Sequence, residues 1–372
     1  MKSRRIVFWQ ETPSPHQVPW IRALASLLPD GEVIGVFQRE LRQHRLAMGW
    51  SPPDCGQTQV FMAPDRATMD QLIYDDCERT VHVFSGMVYN SALDAAFKQT
   101  LSTRAIVGIL SEGRHTRGWK GVLRMAHSLF HEHRYRQRVD FVLAIGRVGM
   151  RWFTKCGYDP AKLFPFCYVV EKHPCEDDQN HINGPVTIVS VGRLIPLKRV
   201  DLLLKALAKV STPEWRLKII GEGEQRPSLE SMAAHLGLKE KVAFMGGMSN
   251  RQVRQELDTA DILVFTSRED GWGTVVNEAL MSGVPVICSD YPGAADLVRP
   301  FLNGELFQCD SMPSLIQVLH KWVSKGPLTV SERKRIQGWS RCIEEEAVAR
   351  YFMQIINYLR DSFLERPKGP WL

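Results

Sequence analysis

Two carboxylates with seven residues between them, Asp270 and Glu278, lie in Glu269-Asp270-Gly271-Trp272-Gly273-Thr274-Val275-Val276-Asn277-Glu278-Ala279-Leu280. The apolar run before them, Asp261-Ile262-Leu263-Val264-Phe265, predicts a strand buried on both faces. Gly271 and Gly273 allow a sharp loop and the close approach of a ligand to the backbone. Thr274 is the expected N-cap of a short helix whose apolar stripe is Val275, Val276, Ala279 and Leu280. Gly283 and Pro285 end it. Asp270 then sits on the loop and Glu278 at the edge of the stripe, both facing one crevice, with a helix N-terminus that favours an anion between them. A solvated loop acid and a helix-capping glutamate would show the same spacing.

A second cluster is cationic. In Val191-Gly192-Arg193-Leu194-Ile195-Pro196-Leu197-Lys198, Gly192 ends a strand and Arg193 and Lys198 fall on the loop into the next helix. Arginine is a fork and lysine a point charge, so the two can clamp a diphosphate. Two solvated loop cations are the alternative.

The stretch 269–289 resembles the Glu-x7-Glu signature of the retaining glycosyltransferases of family 4, the glycosyl transferases group 1, with an aspartate in the first position. Residues 191–198 resemble that family's Gly-Arg-Leu…Lys motif at the same spacing. The likeness is close over the second half of the chain and loose over the first. It implies an α/β chain of GT-B fold, two doubly wound Rossmann-like domains facing an interdomain cleft. It also implies a UDP- or GDP-linked sugar donor and no metal or other cofactor. By resemblance, Arg193 and Lys198 hold the donor's diphosphate and stabilise it as it leaves. Asp270 holds sugar hydroxyls and supports charge at the anomeric carbon, and Glu278 accepts from ribose hydroxyls. Gly192, Gly271, Trp272, Gly273 and Thr274 complete the donor-binding set. The loops Gly221-Glu222-Gly223-Glu224 and Phe244-Met245-Gly246-Gly247 are expected near the base as regions only.

The first half departs from the family. Thr12-Pro13-Ser14-Pro15-His16-Gln17 follows the first strand where relatives usually carry a glycine pair. His16 is the candidate contact in its place. Glu112, in Leu110-Ser111-Glu112-Gly113-Arg114-His115, stands where many relatives have a histidine facing the donor sugar. It is a candidate catalytic residue that binds sugar hydroxyls or acceptor, or it pairs with Arg114 or Arg117. His82, inside Val81-His82-Val83-Phe84, reads as a core histidine.

A length of 372 residues, with 44% hydrophobic and 24% charged, suits a globular chain of about two domains. No apolar run approaches the roughly 20 residues of a membrane span. The eight cysteines show no paired spacing, so reduced thiols in a cytoplasmic protein and no zinc site are expected. Apolar runs alternate with helical patterns from Ile6 to Tyr168 and again from Val186 to Cys288, which argues two parallel sheets. The expected domains are 1–175 and 184–349, joined by a polar linker at 171–185, with a helix at about 350–372 packing back on the first. Net charge is +6, concentrated between Arg104 and Lys155. Within that region Trp119, Val122, Leu123, Ala126, Leu129 and Phe130 recur at helical spacing among basic residues. Segment 119–138 therefore reads either as a helix in an anionic membrane interface, peripheral on the inner membrane face, or as a core-packed helix with a solvated basic side.

The function implied is transfer of a sugar from a nucleotide donor to a glycan or lipid-linked acceptor in surface polysaccharide synthesis, with no nucleic-acid partner. A sugar-nucleotide epimerase and an inactive membrane-docked partner subunit are the alternatives.

Overall fold

The computed structural model describes residues 5–43, 45, 50–86, 91–114, 118–172, 184–211, 214–361 and 363–372. Most of the expected linker at 171–185, along with His115 and Arg117, lies outside the described residues. The chain divides into two compact units: Met1–Leu46, Ser51–Glu171 and Ile343–Leu372 form the first, and Lys172–Cys342 makes up nearly all of the second.

The first unit is built on a seven-stranded parallel sheet. Its strands are β1 (Arg5–Gln10), β2 (Glu32–Phe37), β3 (Gln59–Met62), β4 (Thr80–Ser85), β5 (Ile106–Glu112), β6 (Phe141–Ile145) and β7 (Leu163–Phe166), in the order β3-β2-β1-β4-β5-β6-β7. Helices α1 (Val18–Leu27), α2 (Arg66–Tyr74), α3 (Ser91–Thr100), α4 (Gly118–Arg136) and α5 (Gly146–Lys155) connect them. The central strands are apolar at successive positions because helices cover both faces of such a sheet; every residue of β6 is buried. The order reverses between β1 and β4, so the loops after these two strands diverge and leave an opening at the carboxyl edge.

The second unit repeats the plan with β8 (Val186–Val191), β9 (Trp215–Ile220), β10 (Val242–Gly246), β11 (Ile262–Phe265), β12 (Val286–Ser289) and β13 (Gly304–Phe307), all parallel in the order β10-β9-β8-β11-β12-β13. Its helices are α6 (Val200–Leu207), α7 (Arg226–His235), α8 (Asn250–Asp258), α9 (Thr274–Met281), α10 (Met312–Val323) and α11 (Val330–Ser340). The sequence reading names no element between Cys288 and Ile343. The edge strand β13 and helices α10 and α11 fill that interval. Here the reversal lies between β8 and β11.

The last helix, α12 (Glu345–Arg360), belongs to the first unit. Its Phe352 packs on Phe8, Trp20 and Phe141, and Tyr351 stacks on Phe166. The amphipathic spacing of Val348, Tyr351, Phe352, Ile355 and Ile356 exists for this face; all five are buried.

Helix α4 is turned the other way. Its apolar stripe points to solvent, with Trp119, Val122, Leu123 and Phe130 exposed by 69%, 58%, 57% and 76%. Gly121, Ser128 and Glu132 are buried on the opposite side, where Tyr158 donates its hydroxyl hydrogen bond to Glu132. The core-packed reading of the stripe is therefore corrected: Met125 and Tyr135, with Gly121, Ser128 and Glu132, face the body, and Trp119 and Phe130 do not.

His82 of β4 does lie in the core. Its Nδ1 accepts from the Trp9 indole N–H at 3.0 Å, which leaves Nε2 buried without a hydrogen-bond partner among the described residues. Burial first, and then the charge of Arg5, lowers its pKa from 6.5 to about 3. Below pH 6.5 the unfolded chain takes a proton there that the folded chain refuses, so stability falls as pH falls from 6.5 toward 3. A His82→Gln variant keeps an acceptor for Trp9 without the titration. Between pH 7 and 5 it is expected to lose about 2 kcal/mol less stability than the parent in urea unfolding; equal losses would contradict this account of the pair.

Candidate active site

The loop after β8 begins at Gly192 and runs through a 3-10 turn, Pro196–Lys198, into α6. It is sutured to the loop after β9: Gly192 N–H donates to Ile220 at 3.0 Å and Leu194 N–H to Glu222 at 2.8 Å. Gly221 permits that approach. It sits at φ +141°, and a Cβ there would stand 2.0 Å from the Gly192 carbonyl oxygen. The sequence-expected turn Gly221-Glu222-Gly223-Glu224 is thus a packing support for the Arg193–Lys198 loop.

Lys198 and Asp270 form an ion pair, although 71 residues separate them in sequence. Both side chains are about one-fifth exposed, at 19% and 22%. The Lys198 ammonium also lies 5.3 Å over the Phe265 ring, and Lys198 lines a small recess with Gly192, Phe265 and Thr266. Thr266 fixes the turn by donating its hydroxyl to the Lys198 carbonyl at 2.8 Å, and Arg268 N–H donates to the Leu197 carbonyl at 2.8 Å. The pair straddles the β8/β11 reversal. Arg193, on the same loop, is exposed and forms no ion pair with a described residue. One expected cation is therefore open to an incoming anion, and the other is neutralised by the expected catalytic acid.

The region after Asp270 differs from expectation in three places. Gly273, not Thr274, is the N-cap of α9, at φ 103° and with no side-chain cap. A Cβ at Gly273 would come within 2.7 Å of the Phe265 ring, so the turn packs too closely for a larger residue, and Thr274 becomes the first helical residue. The Trp272 side chain is 1% exposed and its indole N–H donates to Asn277 at 2.7 Å. It braces the loop from inside and presents no surface to a ligand. Finally, all six residues of α9 from Val275 to Leu280 are buried, because α8, α11 and the β11/β12 face pack around it, and Val275 and Glu278 keep the small edge of exposure that remains. Glu278 shares that burial at 8% exposure. Burial raises its pKa, opposed by the charge of Arg254 on α8. Gly271 is half-buried beside Asp270.

In the first unit the polar groups gather at the β1/β4 reversal. Gln10, closing β1, donates to Gln17 at 2.6 Å, and Ser85, closing β4, donates to the same Gln17 oxygen at 2.7 Å. Gln17 and Glu112 both bond the Tyr168 hydroxyl, whose pKa is raised well above its ordinary value by burial and by Glu112. Glu112 thus has Tyr168 as a partner, one not foreseen in the choice of Arg114 or Arg117. His16 lies against the Tyr168 ring, at 5.9 Å between centroids. Its carbonyl accepts from Val169 N–H, and burial followed by the Arg45 charge lowers its pKa to about 4. His16 is therefore neutral at pH 7, and not a cation for phosphate. Gln10, Gln17 and Tyr168 went unread in the sequence; a glutamine closing an otherwise apolar strand was the available signal.

No group of three or more His, Cys, Asp or Glu able to hold a metal ion is present among the described residues. No helix among them is long and apolar enough to cross a membrane.

The profile of the family Glycosyl transferases group 1 matches residues 175–338, the interval that carries Gly192, Arg193, Lys198, Asp270 and Glu278. The match covers most of the second unit and leaves the first unit unmatched, so it is the second unit that is similar to this family. Lipopolysaccharide 1,6-galactosyltransferase of Salmonella typhimurium is 32% identical over 145 residues, 38% of this chain and 40% of that protein. The match thus spans well under half the length of that curated relative. Among solved structures, the outer core galactosyltransferase WaaB in its apo form has a TM-score of 0.67 at 20% identity, covering 97% of this chain and 100% of that one. Anabaena HepE in complex with UDP has a TM-score of 0.70 at 15% identity, covering 95% and 99%. At these identities the likeness is one of fold. It is the GT-B fold, with two parallel-sheet α/β units, and in the second of them the Lys198–Asp270 pair occupies the strand reversal.

Proposed function

We propose that the protein is a retaining glycosyltransferase that moves a sugar from a nucleoside-diphosphate sugar to a glycan or lipid-linked acceptor in surface polysaccharide synthesis. The observation that carries this reading is the Lys198–Asp270 pair, with the exposed Arg193 on the same loop as Lys198, at the β8/β11 reversal of a unit similar to group 1. Open α/β sheets bind ligands at this edge. The galactosyltransferase relative supports the reaction class, and the UDP held by HepE supports a nucleotide-linked donor.

In this mechanism the bond between the anomeric carbon and the diphosphate breaks with its electron pair on the leaving oxygen. Arg193 and Lys198 meet the charge that grows there, and the N-terminus of α9 adds its partial positive charge. These groups supply the stabilisation that a divalent ion would otherwise give, so turnover needs no metal. Asp270, released from Lys198 by the diphosphate, holds sugar hydroxyls near the developing positive carbon. Glu278 accepts from ribose hydroxyls. Glu112, oriented by Tyr168, binds a sugar hydroxyl in the first unit. Arg193→Ala and Lys198→Ala are each expected to lower kcat/KM by roughly 10²–10³, the scale of removing one preorganised electrostatic group. The assay follows release of nucleoside diphosphate from UDP- and GDP-sugars in EDTA. Activity that vanishes in EDTA and returns with magnesium or manganese would contradict the cation clamp.

The exposed stripe of α4 docks on an anionic membrane surface. The argument is charge complementarity: Trp119, Val122, Leu123 and Phe130 point outward, with Arg124, His127, His131 and Arg134 exposed on the same helix. A helix of this kind lies in the interface plane with its apolar side in the headgroup region. Sedimentation with vesicles is expected to show binding to anionic but not neutral lipid. That binding weakens with salt, because charge attraction is screened over about 10 Å at 0.1 M. Trp119→Ser/Phe130→Ser should abolish it, whereas equal binding to both lipids, or none, would contradict it.

A further inference from the structure

Two residues that are not glycine hold left-handed backbone beside the site: Arg199, at φ 53°, directly after Lys198, and Asp310, at φ 64°, after β13. L side chains enter that region only under constraint. Here the constraint is mutual. The Arg199 guanidinium donates to Asp310 and, at 3.0 Å, to Asp201. Asp310 also receives the Arg268 guanidinium, whose Nε lies 3.0 and 2.7 Å from its two oxygens. Arg268 in turn donates its backbone N–H to Leu197. Asp310 thus ties together the loop that ends in Lys198 and the loop that carries Asp270 two residues beyond Arg268. Arg199 must stay left-handed for the turn to pass from Pro196–Lys198 into α6.

We propose that Asp310 is a positioning residue whose carboxylate, shared by Arg199 and Arg268, clamps the two loops so that Lys198 and Asp270 meet at the diphosphate site. The role assigned rests on the nucleotide-sugar reading of that site. Asp310 acts on the pair through Arg199 and Arg268, the chain neighbours of Lys198 and Asp270.

The test combines amide hydrogen exchange on the ligand-free protein with UDP calorimetry. In Asp310→Asn, exchange at the amides of Lys198 and Arg268 should accelerate while distant strands stay protected. UDP affinity should fall tenfold to about a hundredfold, the scale of misplacing a site group by about an ångström. A second pair of variants isolates the backbone. Glycine adopts left-handed φ freely and alanine does not, so Arg199→Gly should keep more UDP affinity than Arg199→Ala, the reverse of their usual order. Parental exchange and affinity in Asp310→Asn would overturn the proposal, as would equal affinities for the two Arg199 variants. Should Asp310→Asn not fold, the Arg199 pair decides. A parent chain that binds neither UDP nor GDP would refute the nucleotide reading, while exchange would still judge the clamp.

Discussion

An ammonium and a carboxylate that neutralise one another at the reversal of a parallel sheet are the constraint around which the second unit is arranged. Lys198 follows β8 and Asp270 follows β11, neighbours in space but distant in sequence. Because the connections from these strands leave in opposite directions, a crevice opens at the edge between them. The charges are partly withdrawn from water, where an unpartnered lysine or aspartate would be penalised. Pairing removes that penalty in the free protein and leaves a site whose own acid occupies its cation. A diphosphate, with more charge and more acceptor oxygens than one carboxylate, is suited to displace it.

The surrounding structure serves the placement of that pair. The loop bearing Lys198 is stitched to the β9 loop through Gly221 and to the β11 loop through Thr266 and Arg268. The loop bearing Asp270 is anchored from within by Trp272 on Asn277 and by the close contact of Gly273 with Phe265. The first unit shows the same logic at its own reversal, where the ends of β1 and β4 converge on Gln17 and hand on to Tyr168 and Glu112. Rigid strands set the coordinates, and hydrogen bonds between successive loops set the orientation.

What the sequence disclosed follows from how each feature is encoded. Parallel strands leave apolar runs, so twelve of the thirteen among the described residues were visible; β13, four residues with Glu305 within it, carries too weak a signal. The motif positions of Arg193, Lys198, Asp270 and Glu278 were visible because their spacing falls within strand, glycine-loop and helix signals that resemble a known family. Their partners were not, since the Lys198–Asp270 contact depends on strand order. Trp272 entered the donor-binding set by resemblance, yet the glycines on either side fold the loop over and bury the ring. Helix α4 was ambiguous because periodicity reports a stripe and not its direction. The left-handed turn at Arg199 was hidden altogether, because an arginine gives no hint of the backbone that its ion pairs enforce.

The account stands or falls on whether Asp270 restrains Lys198 in the free protein. Calorimetric titration of UDP into Asp270→Asn, with EDTA and at low ionic strength, measures this directly. Freed of its competitor, Lys198 should bind the diphosphate several-fold more tightly, in line with the roughly 1 kcal/mol scale of a partly exposed ion pair. The gain should disappear when the same substitution is made in a Lys198→Ala background. Unchanged or weaker binding in Asp270→Asn, or a gain that persists without Lys198, would contradict it.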